Sequence, residues 1–179
     1  SLSRRDSPHA NAALAVTVEP RDFTPGFNGP ASLAGIAFQR ALEERAFVVG
    51  GGGFHAPAQR VDDFLADRAT TTPLPSTYRP GIVGGSLDEV LPDFVAASLR
   101  QALARFGRML PGFAGPSGQL VGVETRTSAP VRIARHPDSL QSPSLRGLYP
   151  TGEGAGYAGG IVSAAIDGLR IADAILAAS

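Results

Sequence analysis

The stretch TGEGAGYAGGI, from Thr151 to Ile161, sets glycine at 154, 156 and 159, the G-x-G-x-x-G spacing, directly before a segment of helical periodicity. Glycine leaves the main chain uncovered, so a ligand can approach the backbone closely at Gly152, Gly154 and Gly156. The helix start at Gly159, Gly160 and Ile161 offers N–H groups without intrahelical partners and the positive end of the helix dipole. Glu153, just ahead of it, can accept hydrogen bonds from hydroxyls. These parts suit an electron-rich ring edge and a polyol chain. They would serve equally as a tight strand-to-helix turn with no ligand, and the pattern leaves both open.

As the first turn of a dinucleotide-binding Rossmann unit, the motif fails. The sequence ends with the helix that follows it, so no second parallel strand completes a βαβ unit. A second candidate, Gly51-x-Gly53-x-x-Ala56, fails for another reason. It follows a helical pattern rather than a strand, and no later strand carries an acidic residue about 20 positions on for a ribose. Those glycines read as a helix C-terminus.

Composition narrows the chemistry further. The chain has 179 residues, 43% hydrophobic and 18% charged, which is globular and sufficient for a core. All 16 basic residues are arginine, so lysine Schiff-base chemistry is excluded within this sequence. The absence of cysteine excludes disulfides, thiolate nucleophiles and Cys-ligated zinc, and redox chemistry would need a bound cofactor. His9, His55 and His136 are dispersed, and no metal site is expected. Zero formal net charge gives no reason to invoke nucleic acid, and no apolar run reaches the roughly 20 residues of a membrane span. With no secretory h-region either, the cytoplasm is the expected compartment. Ser86 and Ser163 lack a nucleophile-elbow setting. Asp62-Asp63 and Glu43-Glu44 are neighbours that splay apart on a helix, so solvated faces are expected rather than an acid/base pair. The catalytic residues stay unassigned.

The elements that must position the turn follow from periodicity and punctuation. ALAVTVEP, from Ala13 to Pro20, reads as a strand. Ser32 is placed to cap a helix carrying Leu33, Ile36, Ala37 and Ala41, which the glycines from Gly50 end. A short extended piece and a short helix beginning near Pro57 come next, then a long loop from Ala69 to Gly85. Ser86-Leu-Asp-Glu89 starts a short helix, and Asp93 is placed to cap one with a stripe of Val95, Leu99, Ala102, Leu103, Phe106 and Leu110. Gln119 to Thr125, Val131 to Ala134 and GLYPTGE read as strands. In the last helix, about Gly160 to Ala177, Ile161, Ala164, Ala165, Gly168, Leu169, Ala172, Ile175 and Leu176 form one expected packing face. The expected class is α+β, with a mixed, largely antiparallel sheet and four or five helices.

GLYPTGEGAGYAGGIVSAAIDGLRIADAI resembles the C-terminal end of FAD-dependent oxidoreductases of the two-dinucleotide-fold group, and most of all their FAD-dependent dehydrogenase branch. NAALAVTV, FQRALEERAF, APAQRVDDFL and GVETRTSAPVRI are similar to that branch in order and spacing, so the resemblance covers most of the chain. It implies that Gly152, Gly154 and Gly156 belong to the turn that finishes a flavin site. Glu153 would contact the ribityl or pyrophosphate region, and Tyr157 would lie close to the flavin ring. Gly159, Gly160 and Ile161 would face the pyrimidine edge and stabilise negative charge on the reduced flavin. Arg126, Thr127 and Arg132 are the candidate substrate residues, arginine being suited to an anion; a solvated strand edge is the other reading of that segment.

In this family the first Rossmann unit lies upstream, and this sequence contains none. It therefore reads as the C-terminal portion of a longer flavoprotein: residues 1–130 a substrate or cap domain, residues 131–179 the segment that completes the FAD site. The expected partners are the upstream Rossmann FAD-binding domain of the same polypeptide and a small-molecule substrate, with no nucleic acid and no membrane. FAD binding by this chain alone is expected to be weak or absent. A missing domain would leave apolar surface able to drive homo-oligomers. The rival readings are a non-enzymatic α+β interaction domain with a structural glycine turn, and a stand-alone phosphate- or nucleotide-binding domain.

Overall fold

A computed structural model describes residues 6–177. The chain divides into two compact units. One is Arg40–Thr125 with the segment up to Val18, and the other is Glu19–Gln39 with the chain from Arg126 onward.

The first unit is organised by β1 (Ala56–Arg60), the middle strand of a three-stranded sheet of order β2-β1-β3. β2 (Ile82–Gly84) runs parallel to it, with Ala56 beside Ile82 and Ala58 beside Gly84. β3 (Gln119–Val121) is antiparallel, with Ala58 beside Val121 and Arg60 beside Gln119. Flanked on both sides, β1 buries Pro57, Ala58 and Gln59. The α+β class and the mixed sheet agree with the sequence expectation. Pro57, however, lies inside the strand, and the short helix α3 (Val61–Leu65) starts only after Arg60. The Pro57 carbonyl accepts from the Gly122 N–H at 3.0 Å, and proline has no N–H to place.

Two polar side chains secure this sheet. The Gln59 amide is fully buried, donates to the Arg68 carbonyl at 2.7 Å and accepts from the Leu87 N–H at 2.8 Å. Gln119 does the same for the long loop, accepting from the Leu74 N–H at 2.6 Å and donating to its carbonyl at 3.2 Å. The stretch expected to be a long loop is thus tied to the sheet at Leu74 and contains β2. Asp63 is not a solvated acid either. The Thr70 hydroxyl and the Arg68 guanidinium donate to it and hold its carboxyl below the ordinary range.

The core of this unit joins Val61, Phe64, Leu87, Leu91, Ala96 and Leu103. α4 (Asp93–Met109) presents its stripe here, burying Ala96 and Leu103. Leu110, at the end of the expected stripe, is exposed. Pro92, not Asp93, occupies the N-cap position, and Asp93 lies in the first turn beside the positive helix end. Ser86 accepts from the Asp88 N–H at the head of the 3-10 turn Leu87–Glu89. Arg100 ties α4 to α3. Its guanidinium lies 4.3 Å over the Phe64 ring and donates to the Phe64 carbonyl, Asp88 and Asp67.

α2 (Ala34–Val49) begins in the second unit and ends in the first. It stops in a Schellman motif: the Gly52 N–H reaches the Phe47 carbonyl and the Gly51 N–H that of Val48, both glycines having positive φ. A 3-10 turn, Ala31–Leu33, precedes it, and Ser32 lies inside that turn. α1 (Pro20–Phe23) is a single turn, with Asp22 accepting from the Glu19 N–H. ALAVTVEP forms no strand, because it finds no ladder partner among the described residues; Leu14 packs on the first core as irregular chain. Val131–Ala134 and GLYPTGE also form no strand. They are held by single main-chain bonds, such as Ile133 N–H to the Ala155 carbonyl at 3.1 Å. α5 (Ile161–Ala177) closes the second unit.

Phe64 is fully buried and also carries the Arg100 guanidinium. Phe64→Ala is expected to cost about 3–5 kcal/mol, seen as a lower urea midpoint by circular dichroism.

Candidate functional site

The glycine turn is built from two kinds of glycine. Gly152 and Gly156 have φ of 69° and 81°, the left-handed region where a side chain is strained. At Gly156 a Cβ would also come within 2.5 Å of the Val131 carbonyl oxygen and 3.0 Å of the Arg132 Cα, so the turn could not close on that segment. Gly154 and Gly159 are different: a Cβ on either would meet nothing within 4 Å, leaving their backbone open to an approaching group. Inside the turn, the Gly156 N–H donates to the Glu153 carbonyl at 2.9 Å and the Tyr157 N–H to the Gly152 carbonyl at 3.0 Å.

α5 starts next to this open edge. Its first ladder bond runs from the Ala164 N–H to the Gly160 carbonyl at 2.9 Å, so the N–H groups of Ile161, Val162 and Ser163 precede it. Glu153 and Ile161 are exposed, Ile161 to 92%. Of the three candidate substrate residues, the structure brings Arg132 to the turn: its Nε donates to the Gly156 carbonyl at 3.0 Å and its guanidinium lies 5.0 Å from the Tyr157 ring. Arg126 and Thr127 are exposed on the segment leading there. The Tyr157 hydroxyl donates to the Ile133 carbonyl at 3.0 Å.

Two further residues hold the site, and sequence reasoning missed both. Asp167 faces inward from α5 and forms a two-pronged pair with Arg135, at 2.7 and 2.9 Å, with side chains only 10% and 6% exposed. Asp167 also accepts from the Gly152 N–H at 2.9 Å and the Thr151 hydroxyl at 3.1 Å. Arg135 donates to the Pro150 carbonyl and lies 3.7 Å over the Tyr157 ring. The Arg135 hydrogen bonds, helped by the Gly152 and Thr151 donors, outweigh burial and hold Asp167 far below the ordinary carboxylate range. The same bond holds Arg135 above its ordinary value. The sequence did carry a signal: one acid among Ala164, Gly168 and Ile171, at the spacing of a single helical face.

The expected packing face of α5 is a different matter. Ala164 and Gly168 of that face do lie inward, in a row with Asp167 and Ile171, whereas Ile161, Leu169 and Leu176 of it are 92%, 68% and 75% exposed. Val162 and Ile166 extend that outward apolar stripe.

The family described as "FAD-dependent protein, C-terminal domain-like" matches residues 1–127. The chain belongs to this family. A protein of Clostridium beijerinckii, described as uncharacterized, is 47% identical over 179 residues. That similarity takes in 98% of this chain but 32% of the relative, so the chain spans about a third of its length. The family match ends ahead of the glycine turn, while the likeness to the clostridial protein takes in nearly the whole chain. No helix among the described residues is long and apolar enough to cross a membrane.

The groups at the turn fit a flavin edge: the N–H donors of a helix N-terminus, the exposed Glu153 carboxylate as an acceptor, and glycine backbone that is open at Gly154 and Gly159. Its anchor should titrate. Because the folded-state pKa of Asp167 is depressed, its stabilisation is complete above the unfolded value of about 3.9 and is lost as pH falls towards the folded one. Arg135, shifted upward, loses its contribution only as pH rises past the arginine range. The wild-type urea midpoint should therefore fall more steeply below about pH 4 than that of Asp167→Asn, the two profiles running parallel from about pH 5 to 8. Equal slopes in acid would refute this role for Asp167.

Proposed function

We propose that this chain supplies the last flavin-contacting segment, with a substrate or cap part, of a larger FAD-dependent dehydrogenase acting on a small organic molecule. Residues 1–130 form the substrate or cap part and residues 131–179 complete the FAD site. The observation that carries the reading is the open backbone of Gly154 and Gly159 beside the N-terminus of a 17-residue helix, in a chain of an FAD-dependent family. When bound, FAD would supply hydride transfer at its N5.

The residues of this chain orient and polarise. Gly159, Gly160 and Ile161 present the positive helix end to the pyrimidine edge, where negative charge gathers on reduction. Glu153 accepts hydrogen bonds from ribityl or ribose hydroxyls. Tyr157 borders the ring, backed by Arg135. Arg132, with Arg126 and Thr127 on the same segment, holds an anionic group of the substrate. The partner is an upstream Rossmann domain in the same polypeptide. The much longer clostridial relative and the outward stripe Val162, Ile166, Leu169 and Leu176 support this. The cytoplasm is the proposed compartment, with which the cysteine-free sequence is compatible.

The same exposed stripe favours a second reading, a non-enzymatic interaction domain whose glycine turn is structural. A flavin titration separates the two. FAD fluorescence and visible absorbance are followed on this chain and on the longer parent polypeptide side by side. Tight binding by the parent with weak or no binding by the chain is the expected result. Binding by neither removes the flavin reading, and a stoichiometric flavin on the chain alone removes the split site.

A further inference from the structure

We infer that Arg135 and Asp167 are positioning residues: a buried ion pair that fixes the flavin-facing turn against the first half of α5. The inference rests on the flavin reading above and names the device that would make that site rigid. Oδ2 of Asp167 gathers three donors, Arg135 Nη1 at 2.9 Å, the Gly152 N–H at 2.9 Å and the Thr151 hydroxyl at 3.1 Å. Oδ1 takes Arg135 Nη2 at 2.7 Å. Arg135 Nη1 also reaches the Pro150 carbonyl at 2.9 Å, so three consecutive residues at the entrance of the turn are tied to one pair.

The exit of the turn is tied to it too. Tyr157, just after Gly156, has its ring 3.7 Å from the Arg135 guanidinium. The pair therefore grips both ends of the turn, at 152 and 157, and leaves Gly154 between them with open space beside it. Since Asp167 is part of α5, the helix N-terminus and the turn share one anchor. Neither side chain is needed to touch the flavin. Charge is balanced within the pair, so the open edge receives the dipole of the helix and not a buried net charge.

The test uses the longer polypeptide that carries this chain, with wild type, Asp167→Asn, Arg135→Lys and Thr151→Val compared for FAD dissociation constant and flavin midpoint potential. Phe64→Ala, in the other unit, controls for lost stability alone. Asp167→Asn and Arg135→Lys are expected to weaken FAD binding by tenfold or more, with Phe64→Ala near wild type. Asp167→Asn, which leaves Arg135 uncompensated, should also move the potential upward, while Arg135→Lys keeps the charge and should not. Thr151 is exposed, so its variant stays informative if the buried ones do not fold, and a severalfold loss of affinity is expected from it. In this chain without flavin, hydrogen exchange at the Gly152 amide should accelerate in Asp167→Asn. Folded variants with wild-type affinity, potential and exchange would overturn the positioning role alone. A wild-type parent that binds no FAD would instead overturn the reading on which it rests.

Discussion

A carboxylate on the inward face of an apolar helix is costly to bury, by several kcal/mol, unless a cation and further donors compensate it. Asp167 has four hydrogen bonds, two from Arg135 and one each from Thr151 and Gly152. Compared with a well-packed apolar residue, such a pair adds little net stability. Its effect is selective. α5 is apolar on most of its circumference, so burial alone does not choose which side turns inward. One carboxylate matched to one guanidinium chooses, and the turn before the helix is set by the same choice.

The first unit uses the same economy with neutral groups. Its middle strand is short and contains a proline, so main-chain pairing alone is thin. The Gln59 amide adds two bonds from the centre of the sheet to the loops that flank it. Arg100 then joins two helices by donating to a carbonyl and two carboxylates while covering an aromatic face. In both units, long polar side chains with several donors do work that a larger apolar core does elsewhere.

This division explains what could be read from the sequence. α2, α4 and α5 were legible because their periodicity, and the glycines that end α2, are local properties. Of the strands only β3 was, at the start of the expected Gln119 to Thr125. β1 contains Pro57 and lacks alternation, β2 is hidden in a Thr/Pro-rich loop, and ALAVTVEP has the right composition without an edge to join. Strand formation depends on a distant partner, and composition does not name it. At the site, the glycine turn was visible as spacing. Its anchor was not, because Arg135 and Asp167 lie 32 positions apart, and the lone acid on the inner row of α5 does not name its partner. The family of the chain, by contrast, was legible from motifs spread along it.

The glycines of the turn answer to different pressures. Replacement at Gly156 meets backbone on two sides and a left-handed φ, so it would damage the fold whether or not anything binds. Gly154 and Gly159 face open space, and a methyl group there disturbs nothing in the chain itself. A lineage that kept this fold but gave up its ligand would be held to glycine at 156 and released at 154 and 159. The motif would then decay from its open positions first, in a protein that still folds as before.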